Sequence, residues 1–251
     1  MRGQGSVRGD SVASGGTLFS LGGGYWDGWR LTYRYPDKTL GFEIGRPKPA
    51  SAVSVSAGPV PDNVWHHLAA VWTGQEMRLY VDGLLAGATA YAGNFTPPPK
   101  NAQFKIGLAG FGWGSVALDV DEVAVFNTAL SGVDILRDAF FFDPGPPQMA
   151  ERVEAGERAF AGRYYSVAVT EYRAALELCR AREPVAGALR LQLGQAFLRQ
   201  KQPAAAAAEF SAVLEHPALP EGVRSLALRP LADLARQGAG GISRTAYAAL
   251  L

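Results

Sequence analysis

The chain has 251 residues, 48% of them hydrophobic, with 24 Lys plus Arg against 23 Asp plus Glu and a formal net charge of +1. That length buries a full core in one large domain or two smaller ones, and so even a balance excludes a general electrostatic field for nucleic acid or membrane surfaces. A lone cysteine, Cys179, excludes a disulfide-stapled scaffold, and no apolar run reaches the roughly 18 residues of a membrane-spanning helix.

The opening MRGQGSVRGDSVASGG carries charge and glycine but no apolar stretch. Residues 1–15 are therefore expected to be a disordered lead and not a signal peptide. The RGDS within it, Arg8 to Ser11, has the form of an adhesion motif, which arises easily by chance in an Arg- and Gly-rich stretch.

From residue 16 the pattern is short and period-2. TLFSLGG, WRLTYRY, TLGFEIG, AVSVSAG, HHLAAVW, MRLYVDG, AQFKIGLAG and VDEVAVFN are strand-sized and rich in β-branched or aromatic residues. In EMRLYVDG, Met77, Leu79 and Val81 share one face, and Asp82-Gly83 supplies the positive-φ pair of a two-residue hairpin turn before LLAGATA returns. Eight such segments without intervening helices predict an antiparallel β-sandwich over residues 16–140. It closes with a short helix that Ser131 caps, Asp134 standing three residues on. Residues 141–149, rich in proline and glycine, read as a stiff linker.

Beyond the linker the period is helical. Gly156, Ala168, Tyr172 and Leu176 recur as Gly194, Ala206, Phe210 and Leu214, each 38 residues on. A repeat of that length built from paired helices marks a short α-solenoid, assigned to residues 150–238, with a third unit starting near Leu231-Ala232 and a tail over 239–251. The fold class is thus multidomain β plus α: a jelly-roll sandwich followed by stacked helix pairs.

The blocks WHHLAAVW, MRLYVDGLLAG, FKIG and VDEVAVFNTALSGVDI together resemble the laminin-G-like jelly roll of the concanavalin A-like lectin/glucanase superfamily. The opening strands usual in that family have no counterpart in the lead, so the sandwich is expected to be incomplete at its N-terminus. The helical half is similar to tetratricopeptide repeats, with Gly156 and Gly194 as the small residues that let helices approach. Its period exceeds the usual length of about 34 residues, an excess expected in a helix or in the turn at AREP.

Candidate sites follow from these readings. Sandwich-fold glycosidases of the superfamily set three carboxylates along one strand as Glu-x-Asp-x-x-Glu. Asp119-Val120-Asp121-Glu122 has the wrong spacing, and no pair of carboxyls across a cleft is implied. His66 and His67 are neighbours on a strand, point to opposite faces, and cannot share a metal. No catalytic residue is assigned. The resemblance implies that Asp121 on the final strand could help bind a structural calcium, which needs six to eight oxygen ligands; a solvent-facing aspartate is the other reading.

Tyr25, Trp26, Phe111 and Trp113 stand in the glycine-rich loops GGGYWDGWR and AGFGWGS. Such rings either stack on the apolar face of a sugar or fold back as lids on the sandwich ends. In the helical half, alignment with the repeats places Glu157, Phe160, Gln195 and Arg199 on the groove side. The expected function is a non-enzymatic binding or adaptor protein. Its sandwich takes a glycan or protein ligand, and its helices take a protein or peptide partner. The alternatives are an accessory carbohydrate-binding region of a larger carbohydrate-active enzyme, or a structural spacer. The resemblance favours an exported or cell-surface protein.

Overall fold

The computed structural model describes residues 2–8, 15–22, 26–107, 114–140, 147–179, 184–216, 219 and 221–250. They fall into two compact units, Met1–Val81 with Leu85–Leu130, and Asp82–Leu84 with Ser131–Leu251.

The strands in chain order are β1 (Arg2–Arg8), β2 (Gly16–Leu21), β3 (Trp29–Arg34), β4 (Thr39–Ile44), β5 (Val53–Ala57), β6 (Trp65–Trp72), β7 (Glu76–Val81), β8 (Leu84–Ala90), β9 (Phe104–Ile106), β10 (Gly114–Ser115) and β11 (Ala117–Ala124). One sheet runs β11-β1-β6-β7-β8; the other runs β10-β2-β3-β4-β5, with β9 also paired to β2. The ladders of β1 with β11 and β6, of β2 with β3 and β9, of β3 with β4, of β4 with β5 and of β6 with β7 are antiparallel, and that of β10 with β2 is parallel. The expected sandwich is therefore present.

Its core comes from alternate positions of facing strands. Leu31, Tyr33, Leu40, Phe42, Ile44 and Val55 project from one sheet, and Leu68, Met77, Leu79 and Val81 from the other, all buried. Strand β7 packs on β4 and β5 across the gap between sheets. The Tyr33 hydroxyl donates to the Val60 carbonyl at 3.1 Å, and burial, reinforced by Asp62, pushes its phenol well above the ordinary value. The turn between β7 and β8 has the left-handed pair that the sequence required, Asp82 at φ 50° and Gly83 at φ 76°.

The lead is where the fold departs from the sequence reading. Residues 2–8 are not a disordered lead: β1 lies between β11 and β6 and pairs with both. RGQGSVR offers one apolar side chain, so the strand is held by two backbone ladders and leaves no hydrophobic alternation to read. The lead thus supplies one strand ahead of β2, set between β11 and β6, that the sequence reading did not foresee. Of the RGDS motif, Gly9 to Ser11 lie outside the described residues.

The second unit contains α1 (Gly132–Phe140), α2 (Pro147–Ala161), α3 (Tyr165–Glu177), α4 (Pro184–Arg199), α5 (Pro203–Glu215), α6 (Glu221–Arg236) and α7 (Arg244–Ala248). Helix α1 starts on the reciprocal cap expected of Ser131. The Asp134 amide donates to Ser131 Oγ at 3.1 Å, and Ser131 Oγ donates to the Asp134 carboxylate at 2.7 Å. Two boundaries shift. The helical run begins at Pro147, inside the segment read as linker, because proline suits the first turn of a helix. The segment read as a tail contains α7, which Ser243 caps through the Ala246 amide. Residues 141–146 and 180–183, the latter within the AREP turn, lie outside the described residues.

Packing recurs with the sequence period. A Cβ on Gly156 would stand 2.6 Å from the Tyr172 ring, and one on Gly194 would stand 2.5 Å from the Phe210 ring. The pair Arg152–Glu171 recurs as Arg190–Glu209 at 2.9 and 3.0 Å. Helices α2, α4 and α6 end alike. The amides of Tyr164, Gln202 and Ala239 reach back to the carbonyls of Ala159, Phe197 and Leu234, around left-handed residues Arg163, Lys201 and Gly238. Only the third turn carries the glycine this conformation prefers. Replacing Lys201 (φ 59°) with glycine should therefore stabilise the helical unit by about 0.5–1 kcal/mol. Thermal unfolding followed at 222 nm measures it; an unchanged or lower midpoint contradicts the assignment of strain there.

Candidate ligand-binding face

Register places one row of polar residues straight across the second sheet. Lys105 on β9 stands opposite Ser20 on β2, Ser20 opposite Arg30 on β3, Arg30 opposite Glu43 on β4, and Glu43 opposite Ser54 on β5. Cross-strand partners project to the same face. The next residues along these strands, Phe19, Leu31, Phe42 and Val55, are in the core, so the polar row points away from it. Two residues along, Thr32, Gly41 and Ser56 continue the polar face, with Thr17 opposite Thr32.

The centre of the row is buried and its ends are open. Ser20, Arg30 and Glu43 are 2%, 5% and 7% exposed, whereas Lys105 is half-buried and Ser54 exposed. Arg30 Nε donates to Glu43 Oε2 at 2.7 Å, and Nη2 contacts the same oxygen. Ser20 Oγ has no hydrogen-bond partner although it is fully buried. A buried hydroxyl left unpaired costs about 1–3 kcal/mol, a cost a bound acceptor would remove.

Two residues beyond the row, the β2–β3 and β4–β5 loops leave the sheet at the same end. Trp26, on the first, is 48% exposed, and Lys48 Nζ, on the second, stands 4.2 Å from its ring centroid. The loops are held together through backbone. Gly45 donates to the Gly28 carbonyl, Gly28 donates to the Thr96 carbonyl, and a Cβ on Gly45 would strike the Asp27 backbone at 2.3 Å. Of the four loop aromatics singled out in the sequence, Trp26 is thus a half-exposed ring on a braced loop. Tyr25, Phe111 and Trp113 lie outside the described residues. Ser20, Arg30, Glu43 and Lys105 were missed, because nothing in the sequence states the register that aligns them.

A concavity of about 310 Å³ opens between the sheets and is lined by Trp29, Phe42, Trp72, Phe95, Val125 and Phe126 among others. Its polar lining among the described residues is Asn127 and Thr128.

The remaining sequence candidates are dispersed. His66 and His67 are both buried, and His66 Nε2 lies 2.9 Å from the Pro61 carbonyl, which can only accept. Asp119, Asp121 and Glu122 are exposed on β11, and Asp121 Oδ1 accepts from the Glu122 amide. Among the described residues no trio of His, Cys, Asp or Glu gathers as metal ligands.

In the helical unit, Glu157 is 2% exposed and not on an open groove. Helix α1 packs on α2 and α4, and the Glu157 carboxylate oxygens stand 2.3–2.5 Å from where a Cβ on Gly132 would be. Glu154 accepts from the Gly132 amide at 3.0 Å, so two carboxylates meet the positive N-terminal end of α1. Phe160 is half-buried and packs edge-on against Tyr165; Gln195 is half-buried and Arg199 exposed. No described helix is long and apolar enough to cross a membrane.

Among solved structures, the chain is similar to the Ruminococcus gnavus IT-sialidase CBM40 bound to alpha2,3 sialyllactose, with 13% identity over 55% of this chain and 81% of that one, at a TM-score of 0.42. It is similar to a heptameric SAP-like pentraxin from Limulus polyphemus at 18% identity, over 55% and 67%, TM-score 0.40. A third similarity is to an S-layer domain-containing protein from Clostridium thermocellum, at 21% identity over 53% and 66%, TM-score 0.28. No curated protein matches the chain. The family model described as the concanavalin A-like lectin/glucanases superfamily matches residues 7–136, and with more than half of its 251 residues inside that match the chain belongs to this superfamily.

Proposed function

We propose that the chain is a non-catalytic binding module that takes a glycan on the polar face of its second sheet. The observation carrying this reading is the Lys105–Ser20–Arg30–Glu43–Ser54 row, turned away from the core, with an unpaired hydroxyl at Ser20. Sugar hydroxyls both donate and accept, so a face presenting an ion pair, hydroxyls and an ammonium suits them. An ion pair locked by two contacts holds its orientation before a ligand arrives, which lowers the ordering cost of binding. Trp26 adds an apolar plate beside the polar groups for a pyranose face.

The helical unit, in this reading, is a tetratricopeptide-like array that holds or spaces a partner. The site of that partner would not be the α2–α4 face at Glu157, which α1 covers. Membership of the superfamily supports placing the protein at a cell surface, either alone or as an accessory region of a larger carbohydrate-active enzyme.

The test is binding of the purified chain to a glycan array, in calcium and again in chelator, followed by Trp26→Ala. Affinity for the best sugar should fall about 3–10-fold, the worth of one stacking ring, with the melting temperature unchanged because the ring is half-exposed. A lower melting temperature with affinity intact would make Trp26 a structural lid. Binding that survives chelator would confirm that calcium is not needed for this face.

A further inference from the structure

Resting on the glycan reading, we infer that the face selects an acidic sugar, one bearing a carboxylate or sulfate, and that Lys105 with Ser20 receives its anionic group. The row contains three charges. Arg30 and Glu43 neutralise each other through two contacts to one carboxylate oxygen. Lys105, opposite Ser20 in register, is the charge left unopposed within the row. Across antiparallel strands, opposed Cβ atoms stand about 5 Å apart, so an ammonium and a hydroxyl there converge on a single small acceptor.

The unpaired Ser20 hydroxyl is the second observation, independent of charge. It is 2% exposed, has no partner, and points to the face that Lys105 shares. Both groups can donate, and an anionic oxygen accepts from both, with charge-assisted bonds roughly twice as strong as neutral ones. A neutral hydroxyl would satisfy Ser20 but leave Lys105 without a counter-charge. Lys48, on the loop at the same end, adds a second cation to the field an incoming anion meets.

The experiment is calorimetric titration of the whole chain with oligogalacturonate, its fully methyl-esterified form, and lactose-3′-sulfate beside lactose. Each acidic probe should bind about tenfold tighter than its neutral parent, and raising the salt to about 0.5 M should erase most of the difference. Lys105→Gln should lower binding of the acidic probe several times more than binding of the ester, closing most of the gap between them. Ser20→Ala should weaken both kinds of probe, the acidic one more, because its charge-assisted bond to that hydroxyl is the stronger. Equal binding of acidic and neutral sugars would overturn the inference and leave the glycan reading standing. Binding of none of the four probes, where the glycan array also stays blank, would overturn both. An acid preference that survives Lys105→Gln and vanishes in Lys48→Gln would move the anion to the loop and overturn the role of Lys105.

Discussion

Replacing Arg30 with methionine should cost the sandwich about 3–5 kcal/mol, because it strands the Glu43 carboxylate in the interior of the polar row. The side chains of Arg30 and Glu43 are 6% and 9% exposed, so water replaces only a small part of the lost contacts. Replacing both, as Arg30→Met with Glu43→Leu, should recover most of the loss, since two apolar groups of similar volume leave no charge to solvate. That contrast separates the worth of the pair from the penalty of breaking it. The readout is selective. All five tryptophans precede residue 114, so tryptophan fluorescence follows unfolding of the sandwich, while ellipticity at 222 nm is dominated by the helices. Single and double variants that lose equally would show that the pair is not the cause. The double variant should also fail to bind sugar despite its recovered stability, because the ion pair is the centre of the proposed face.

The fold was legible in the sequence wherever side chains carry it. Alternation in EMRLYVDG and the Asp82-Gly83 turn yield a hairpin because burial is one-sided and the turn demands positive φ. The 38-residue period was legible because Gly156 and Gly194 are needed beneath the rings of Tyr172 and Phe210. Strand β1 was not legible. Its backbone amides and carbonyls do the pairing, and RGQGSVR looks like any polar lead. The proposed ligand face was illegible for a related reason. Ser20, Arg30, Glu43 and Lys105 come from four separate segments, and a shift of one residue in any ladder would turn one of them into the core. Of the four groove residues only Glu157 is buried, because α1, capped by Ser131 and met by Glu154, lies against α2 and α4 there. Of the four loop aromatics, Trp26 is the one the structure describes.

The second large effect belongs to the helices. Gly194→Ala should destabilise the helical unit by about 1–3 kcal/mol, even though alanine is the better helix former by about 1 kcal/mol. The new methyl would stand 2.5 Å from one Phe210 ring carbon and 2.8 Å from two others. Phe210 is fully buried, so its ring has no solvent side to swing into, and helices α4 and α5 must separate to admit the methyl. Gly240→Ala is the matched control: nothing lies within 4 Å of its added Cβ, and its stability should stay within about 0.5 kcal/mol of the parent. A second substitution tests the cause. Phe210→Leu alone leaves a cavity and costs about 1–2 kcal/mol, but with Gly194→Ala the methyl fills part of that space. The double variant should therefore lose less than the two single losses added, with a coupling of about 1 kcal/mol in its favour. Strict additivity at 222 nm would mean that Gly194 acts through backbone freedom alone, and the glycine-under-ring contact would lose its place as the reason for the 38-residue period.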